Sequence, residues 1–186
     1  MNIMIVGVGG QGTLLASRIL GKVAIKEGYD VKVSEVHGMS QRGGSVVTYV
    51  KFGERVYSPI IDKGEADLIL AFEILEAYRA LPFLKKGGKM IANIQQMNPM
   101  PVIIGAMDYP ENIEEKLLKK IDLQAIDALS AAINAGSVKA VNVVLIGVLA
   151  KSTNIAKEVW VDAIKETVPE KFLDVNLKAF ELGYAM

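Results

Sequence analysis

Two periods of apolar and polar positions alternate along the chain. Residues 3–6 form a short apolar run that reads as a buried strand. Leu14, Leu15, Ile19, Leu20, Val23 and Ala24 then recur at helical spacing, which predicts a helix over residues 11–27 closed by Gly28. Val31, Val33 and Val36 mark a second strand, so the chain opens as a strand–helix–strand unit with a parallel sheet and a right-handed crossover. Residues 37–45, with three glycines among polar neighbours, read as a loop. Residues 46–52 alternate β-branched and polar side chains, and Gly53-Glu54 before Arg55-Val56-Tyr57 predicts a hairpin, an antiparallel addition to the sheet.

The pattern continues in the same manner. Residues 66–72 suit a short buried strand, and residues 73–84 a helix that Pro82 interrupts near its end and Gly87-Gly88 terminate. Residues 89–93 give the next strand, Asn98-Pro-Met-Pro101 a turn, and residues 111–120 an amphipathic helix with its acids first and its lysines last. Residues 121–126 read as a final strand or as a continuation of that helix, and residues 127–134 as a short helix ended by Gly136. Residues 141–151, where Asn142 is the one polar position before the closing Lys151, suit a helix buried on most sides. Amphipathic helices over 156–167 and 169–183 finish the chain. No linker, repeat or low-complexity tract interrupts this order. The expected fold over residues 1–186 is a single three-layer α/β/α domain, with a Rossmann-like, mostly parallel sheet, an antiparallel hairpin addition and a helical C-terminus.

Composition narrows the function. Lys plus Arg equals Asp plus Glu at 21 each, so no global field attracts nucleic acid or an anionic membrane. The chain has no cysteine, which excludes disulfides, thiolate catalysis and iron–sulfur clusters ligated by its own residues. A single histidine, His37, with no HExxH-like pairing makes a metal site unexpected. The N-terminal apolar run lacks a basic flank and is broken by glycine after five residues, so it reads as a strand and not a signal peptide, and a cytoplasmic protein is expected. An apolar fraction of 51% beside 23% charged residues hints at apolar surface reserved for a partner.

The first chemistry-bearing segment is Gly7-Val-Gly-Gly-Gln-Gly12, set directly after the first strand and before the first helix. A strand that turns into a helix this sharply needs positive φ angles without a Cβ. The amides of Gly9, Gly10, Gln11 and Gly12, added to the helix dipole, would make an anion cradle. Glu35, 23 residues after Gly12, is where a dinucleotide site places its ribose acceptor. Three readings stay open on these residues: a stand-alone NAD-binding protein, another phosphate- or carboxylate-bearing ligand, and a turn that serves packing alone. The second segment, His37-Gly38-Met39-Ser40-Gln41-Arg42-Gly43-Gly44, follows a strand's C-terminal end, the ligand-binding edge of an open α/β sheet. Arg42 there suits bidentate capture of a carboxylate or phosphate, or pairing across a subunit interface. Met39, Met90, Met97, Met100 and Met107 read as gap-filling core, although the run from Gln95 to Met100 follows a strand at the same edge and suits a crevice lining or a partner surface. No catalytic residue is assigned.

Together, Gly7–Gly12, Glu35–Gly44, Ala66-Asp-Leu-Ile-Leu-Ala-Phe-Glu73 and Val141-Asn-Val-Val144 resemble the gamma module of the 2-oxoacid:ferredoxin oxidoreductases, over nearly the whole chain. Within that family the Gly-Met-Ser-Gln-Arg-Gly-Gly loop is most similar to the beta subunits of the indolepyruvate group. The resemblance implies oxidative decarboxylation of an arylpyruvate with coenzyme A and ferredoxin, giving an aryl-acetyl-CoA. Pyruvate, 2-oxoglutarate and 2-oxoisovalerate enzymes are the alternatives within the family. It further implies that thiamine diphosphate, magnesium and [4Fe-4S] clusters reside in a larger partner subunit, that this chain carries no redox cofactor and is inactive alone, and that ferredoxin meets it only through the complex. Residues 9–12 and Arg42 would then receive coenzyme A phosphates, or residues 37–44 would form an interface element.

Overall fold

The computed structural model describes residues 1–37 and 43–186, and of His37 the backbone alone. Among the described residues the elements run β1 (Asn2–Val8), α1 (Thr13–Lys26), β2 (Asp30–His37), β3 (Ser45–Gly53), β4 (Ala66–Ala71), α2 (Ile74–Ala80), β5 (Leu84–Asn93), α3 (Met100–Ile103), α4 (Ile113–Leu118), β6 (Asp122–Ile126), α5 (Ala128–Ala135), α6 (Val141–Lys151), α7 (Lys157–Thr167) and α8 (Leu173–Tyr184). The strands form one sheet in the order β2-β3-β1-β4-β5-β6, parallel from β1 through β6 and antiparallel where β3 meets β1 and β2.

The period of two in β1 divides the interior. Ile3 and Ile5 join one core with α1, α5, α6, α7 and α8, whereas Met4 and Val6 join a second core with α2 and α4. The three layers predicted from the pattern are present, and no helix among the described residues is long and apolar enough to cross a membrane. From Val141 to Ala150 every residue of α6 is buried, as its unbroken apolar run predicts.

Three local expectations are corrected. First, β1 and β2 are not neighbours, because β3 inserts between them and pairs along Asn2–Val8 on one side and Asp30–His37 on the other. The antiparallel hairpin is therefore β2–β3. Second, Arg55-Val56-Tyr57 forms no strand; the Val56 amide instead donates to Asp30 Oδ2 at 2.9 Å. Third, Gly87-Gly88 do not end a helix, because Pro82 sits in a 3-10 turn after Ala80 and β5 already starts at Leu84. A Cβ on Gly88 would lie 3.0 Å from the Asp67 carbonyl oxygen, so glycine admits β5 to β4 at a break in register.

α8 closes the larger core by crossing α6 at backbone contact. A Cβ on Gly183 would stand 2.0 Å from the Val144 carbonyl oxygen, and one on Gly147 2.3 Å from that of Phe180. Gly183→Ala must therefore push the helices apart, at about 3 kcal/mol, the upper end for overpacking. Thermal unfolding of the two proteins measures it; an unchanged midpoint would show that the crossing is looser than described.

Candidate functional site

β1 and β4 are adjacent and parallel, yet α1 leaves β1 toward one face of the sheet and α2 leaves β4 toward the other. Such a divergence opens a crevice beyond the strands' C-terminal ends. Residues 9–12 sit at its mouth and separate two hollows. One, of about 350 Å³, is lined by Gly9, Gly10, Gly12, Thr13, Leu14, Glu35 and Val46. The other, of about 670 Å³, runs from the same glycines to Gln95, Met97, Leu129, Val138, Lys139 and Val141.

The turn is held from within. The Val8 amide donates to Gln11 Oε1 at 2.7 Å, and Gln11 Nε2 donates to the Phe72 carbonyl at 3.1 Å. A Cβ on Gly7 would meet Gln11 Oε1 at 2.9 Å and Phe72 Cβ at 3.0 Å, so Gly7 is a packing residue that lines neither hollow. Gly12 has φ +84°, and a Cβ there would strike Asn142 Nδ2 at 2.5 Å. Gly10, at φ +102°, has open space beside it.

Hydrogen bonding commits two of the four loop amides expected to form the cradle. The Gly9 amide donates to the Gly44 carbonyl at 2.8 Å and the Gln11 amide to that of Val8 at 3.1 Å, so both are committed inside the protein. The start of α1, which no side chain caps and whose first turn holds no acid, lines the smaller hollow through Thr13 and Leu14. The unpaired amides of such a helix start attract anions. Lys139, in the turn before α6, adds a cation to the larger hollow that sequence reading missed, since its partner elements lie more than a hundred residues away.

Glu35 lines the smaller hollow but accepts from Thr48 Oγ1 at 3.3 Å, and β3 stands between its strand and β1. At about 4.8 Å per strand, β2 lies roughly 10 Å from β1, twice the distance of a neighbouring strand. Glu35 thus shares the smaller hollow with the glycines, but from a strand one place further from β1 than a dinucleotide site uses. Gly43 and Gly44 meet Gly9 through backbone bonds. Gly38, Met39, Ser40, Gln41, Arg42 and the His37 side chain lie outside the described residues. Met90 is core as expected, whereas Met100 and Met107 are exposed.

Sequence reading also gave no role to Glu73, a carboxylate 1% exposed at the start of α2. Glu73 Oε1 accepts from the Tyr109 hydroxyl at 2.6 Å and the Met97 amide at 3.0 Å, while Oε2 accepts from the Glu76 amide at 2.9 Å. Glu76, also buried, is satisfied by Arg79 and by the Ser45 hydroxyl, each at 2.6 Å. Asn93 completes the edge, donating to the Phe72 carbonyl at 3.2 Å and accepting the first amide of α5 from Ala128 at 3.2 Å.

Comparison with known proteins gives this site its context. The family model described as pyruvate ferredoxin/flavodoxin oxidoreductase matches residues 2–186. The chain is 46% identical over 188 residues to the indolepyruvate oxidoreductase subunit IorB of Thermococcus kodakarensis, covering 98% of this chain and 93% of that one. The crystal structure of a keto/oxoacid ferredoxin oxidoreductase gamma subunit from Geobacter sulfurreducens matches with a TM-score of 0.74 at 25% identity, covering 99% of this chain and 96% of that one. The fold also matches 30% of a chain of the 2-oxoglutarate:ferredoxin oxidoreductase from Magnetococcus marinus, solved with 2-oxoglutarate, coenzyme A and succinyl-CoA, over all of this chain with a TM-score of 0.75 at 18% identity.

Burial, and then the hydrogen bond to Glu73, raise the pKa of Tyr109 well above the usual tyrosine value of about 10. The neutral phenol is the form that donates to Glu73, so the stability this bond gives is present below pH ~10 and is lost as pH rises toward the folded-state value. Tyr109→Phe should cost about 1 kcal/mol at neutral pH, and the gap between the two proteins should narrow above pH ~10. Denaturant titrations across that range test this; a gap that stays constant refutes the assignment.

Proposed function

The chain belongs to the pyruvate ferredoxin/flavodoxin oxidoreductase family, and on that premise we propose that it is the small subunit of an enzyme oxidising indolepyruvate and related aryl 2-oxoacids. With coenzyme A and oxidised ferredoxin, the products are an aryl-acetyl-CoA, carbon dioxide and reduced ferredoxin. The observation that carries this reading is the 46% identity to an indolepyruvate oxidoreductase subunit along almost the full length of both chains.

A chain without cysteine cannot supply thiolates to an iron–sulfur cluster, and among the described residues no group of His, Asp or Glu converges as a metal site. On this reading the [4Fe-4S] clusters, magnesium and thiamine diphosphate reside in a larger subunit, and this chain is inactive alone. When bound there, thiamine diphosphate supplies the carbanion chemistry. The enzyme works in the cytoplasm, and ferredoxin reaches it through the complex.

The contribution of this chain is to hold and orient coenzyme A at the edge of the sheet. The uncapped start of α1, the open backbone at Gly10 and the ammonium of Lys139 together suit phosphate groups. The larger hollow, about 670 Å³, has the size of an ordinary ligand site. Arg42 and residues 37–44 are proposed to serve as a second phosphate contact or as an interface element.

Co-expression with the larger thiamine-bearing subunit tests the function. Ferredoxin reduction should be fastest, per kcat/KM, with indolepyruvate; a preference for pyruvate, 2-oxoglutarate or 2-oxoisovalerate moves the chain to another branch of the family. In the assembled enzyme, Lys139→Ala should raise the KM for coenzyme A about tenfold with kcat preserved, the effect of losing one charge-assisted hydrogen bond. An unchanged KM would leave the glycine turn with a packing role alone.

A further inference from the structure

Residues 97–107, Met-Asn-Pro-Met-Pro-Val-Ile-Ile-Gly-Ala-Met, contain no charged side chain. Within them Met100, Ile103, Ile104 and Met107 are 65%, 63%, 69% and 65% exposed. Elsewhere among the described residues, Ile25 and Tyr57 are the other large apolar side chains above 60%. Scattered apolar side chains on a surface need no explanation, whereas four within eight consecutive residues form a patch. Absence of charge together with methionine is the composition of an interface centre.

The segment is also held in shape. Its own backbone closes on itself through the Ile104 amide to Met100 at 3.0 Å and the Ala106 amide to Pro101 at 2.8 Å. Both of its ends are tied to one buried oxygen, since the Met97 amide and the Tyr109 hydroxyl share Glu73 Oε1. An apolar surface fixed before binding loses little conformational entropy when it is covered.

We infer that residues 97–107 are the docking face for the larger, thiamine-bearing subunit, an inference that rests on the function proposed above. Position selects this occupant. The segment continues directly from Gln95 and Met97, which line the larger hollow, so a partner that brings a reacting centre to a ligand held there closes over this patch as well. A second copy of the chain seated on the patch would crowd that same mouth and exclude the reacting partner. The matching fold in the 2-oxoglutarate enzyme is likewise one part of a longer chain.

The test uses the full chain titrated onto the purified larger subunit, with binding read by interferometry and assembly by light scattering. The double substitution Ile104→Glu with Met107→Glu should weaken capture at least a hundredfold, because carboxylates would enter a desolvated contact. Ile25→Glu, at the far end of α1 and hence at the opposite edge of the sheet, should bind as the unsubstituted chain does. Thermal midpoints of both variants should match that of the parent, which separates lost docking from lost folding. Tyr109→Phe, which releases one end of the clamp, should weaken capture threefold to tenfold. Unimpaired capture by the double variant overturns the inference, as does a parent dimer that the double variant dissociates while partner capture persists. If the unsubstituted chain fails to bind the larger subunit or to restore 2-oxoacid oxidation, the functional reading itself falls, and this inference with it.

Discussion

One amide side chain fixes the relation between the two central strands. Gln11 accepts from the Val8 amide and donates to the Phe72 carbonyl, and so ties the end of β1 to the residue just past β4. These are the strands between which the chain's two helical layers diverge. A polar side chain is tolerable at this depth because both ends of its amide are satisfied, whereas leaving either unpaired would cost about 1–3 kcal/mol. The Phe72 carbonyl also accepts from Asn93, whose oxygen in turn receives the start of α5. One connected set of amides therefore aligns the C-terminal ends of β1, β4 and β5 with the helix that walls the larger hollow. The positions of the glycine turn and of Lys139 follow from that alignment.

The same network explains why the glycines are not interchangeable. Gly7 makes room for the Gln11 side chain, Gly12 makes room for Asn142, and Gly10 opens outward. A motif that looks like one phosphate-binding device therefore includes two packing positions and an open one. Two of its four loop amides are spent on internal bonds, and the helix that the turn starts is uncapped.

Elements whose signal is local were legible in the sequence. The apolar stripe of α1, the continuous burial of α6, the Asp127 and Gly136 boundaries of α5, and the alternation in β3 each follow from residues a few positions apart. What depends on distant partners was not legible. β3 takes the place beside β1 because it can pair along both edges, a choice that its own alternation does not encode. Gly87 and Gly88 carry the same signal for a helix end and for a break in strand register; the nearby Ala66 and Asp67 carbonyls decide for the strand. Glu73 reads as one more acid at a helix start until Tyr109 and Met97 are seen to share its carboxylate. The candidate site divides the same way: the glycine turn was visible in order and spacing, while Lys139 reaches it only through the fold.

An apolar excess in composition and a half-open site are two aspects of one design. The larger hollow has the glycine turn on one side and the turn before α6 on another, and Met97 in its lining begins an uncharged strip whose apolar side chains are exposed. In a free-standing enzyme that strip would be a liability, because apolar patches of this kind promote association. In the proposed complex it would exclude water from the ligand's reactive end, with the polar end held by the turn and Lys139. Glu73 links the two requirements. It is a buried carboxylate with no cation among its hydrogen-bond partners in the described residues, and it spends one oxygen on shaping the strip and the other on the start of α2. Burying a charge on such terms is unfavourable for stability taken alone. Its location is consistent with selection for the shape of a contact surface, since the same α2 start could have been capped by an exposed serine or aspartate at far smaller cost.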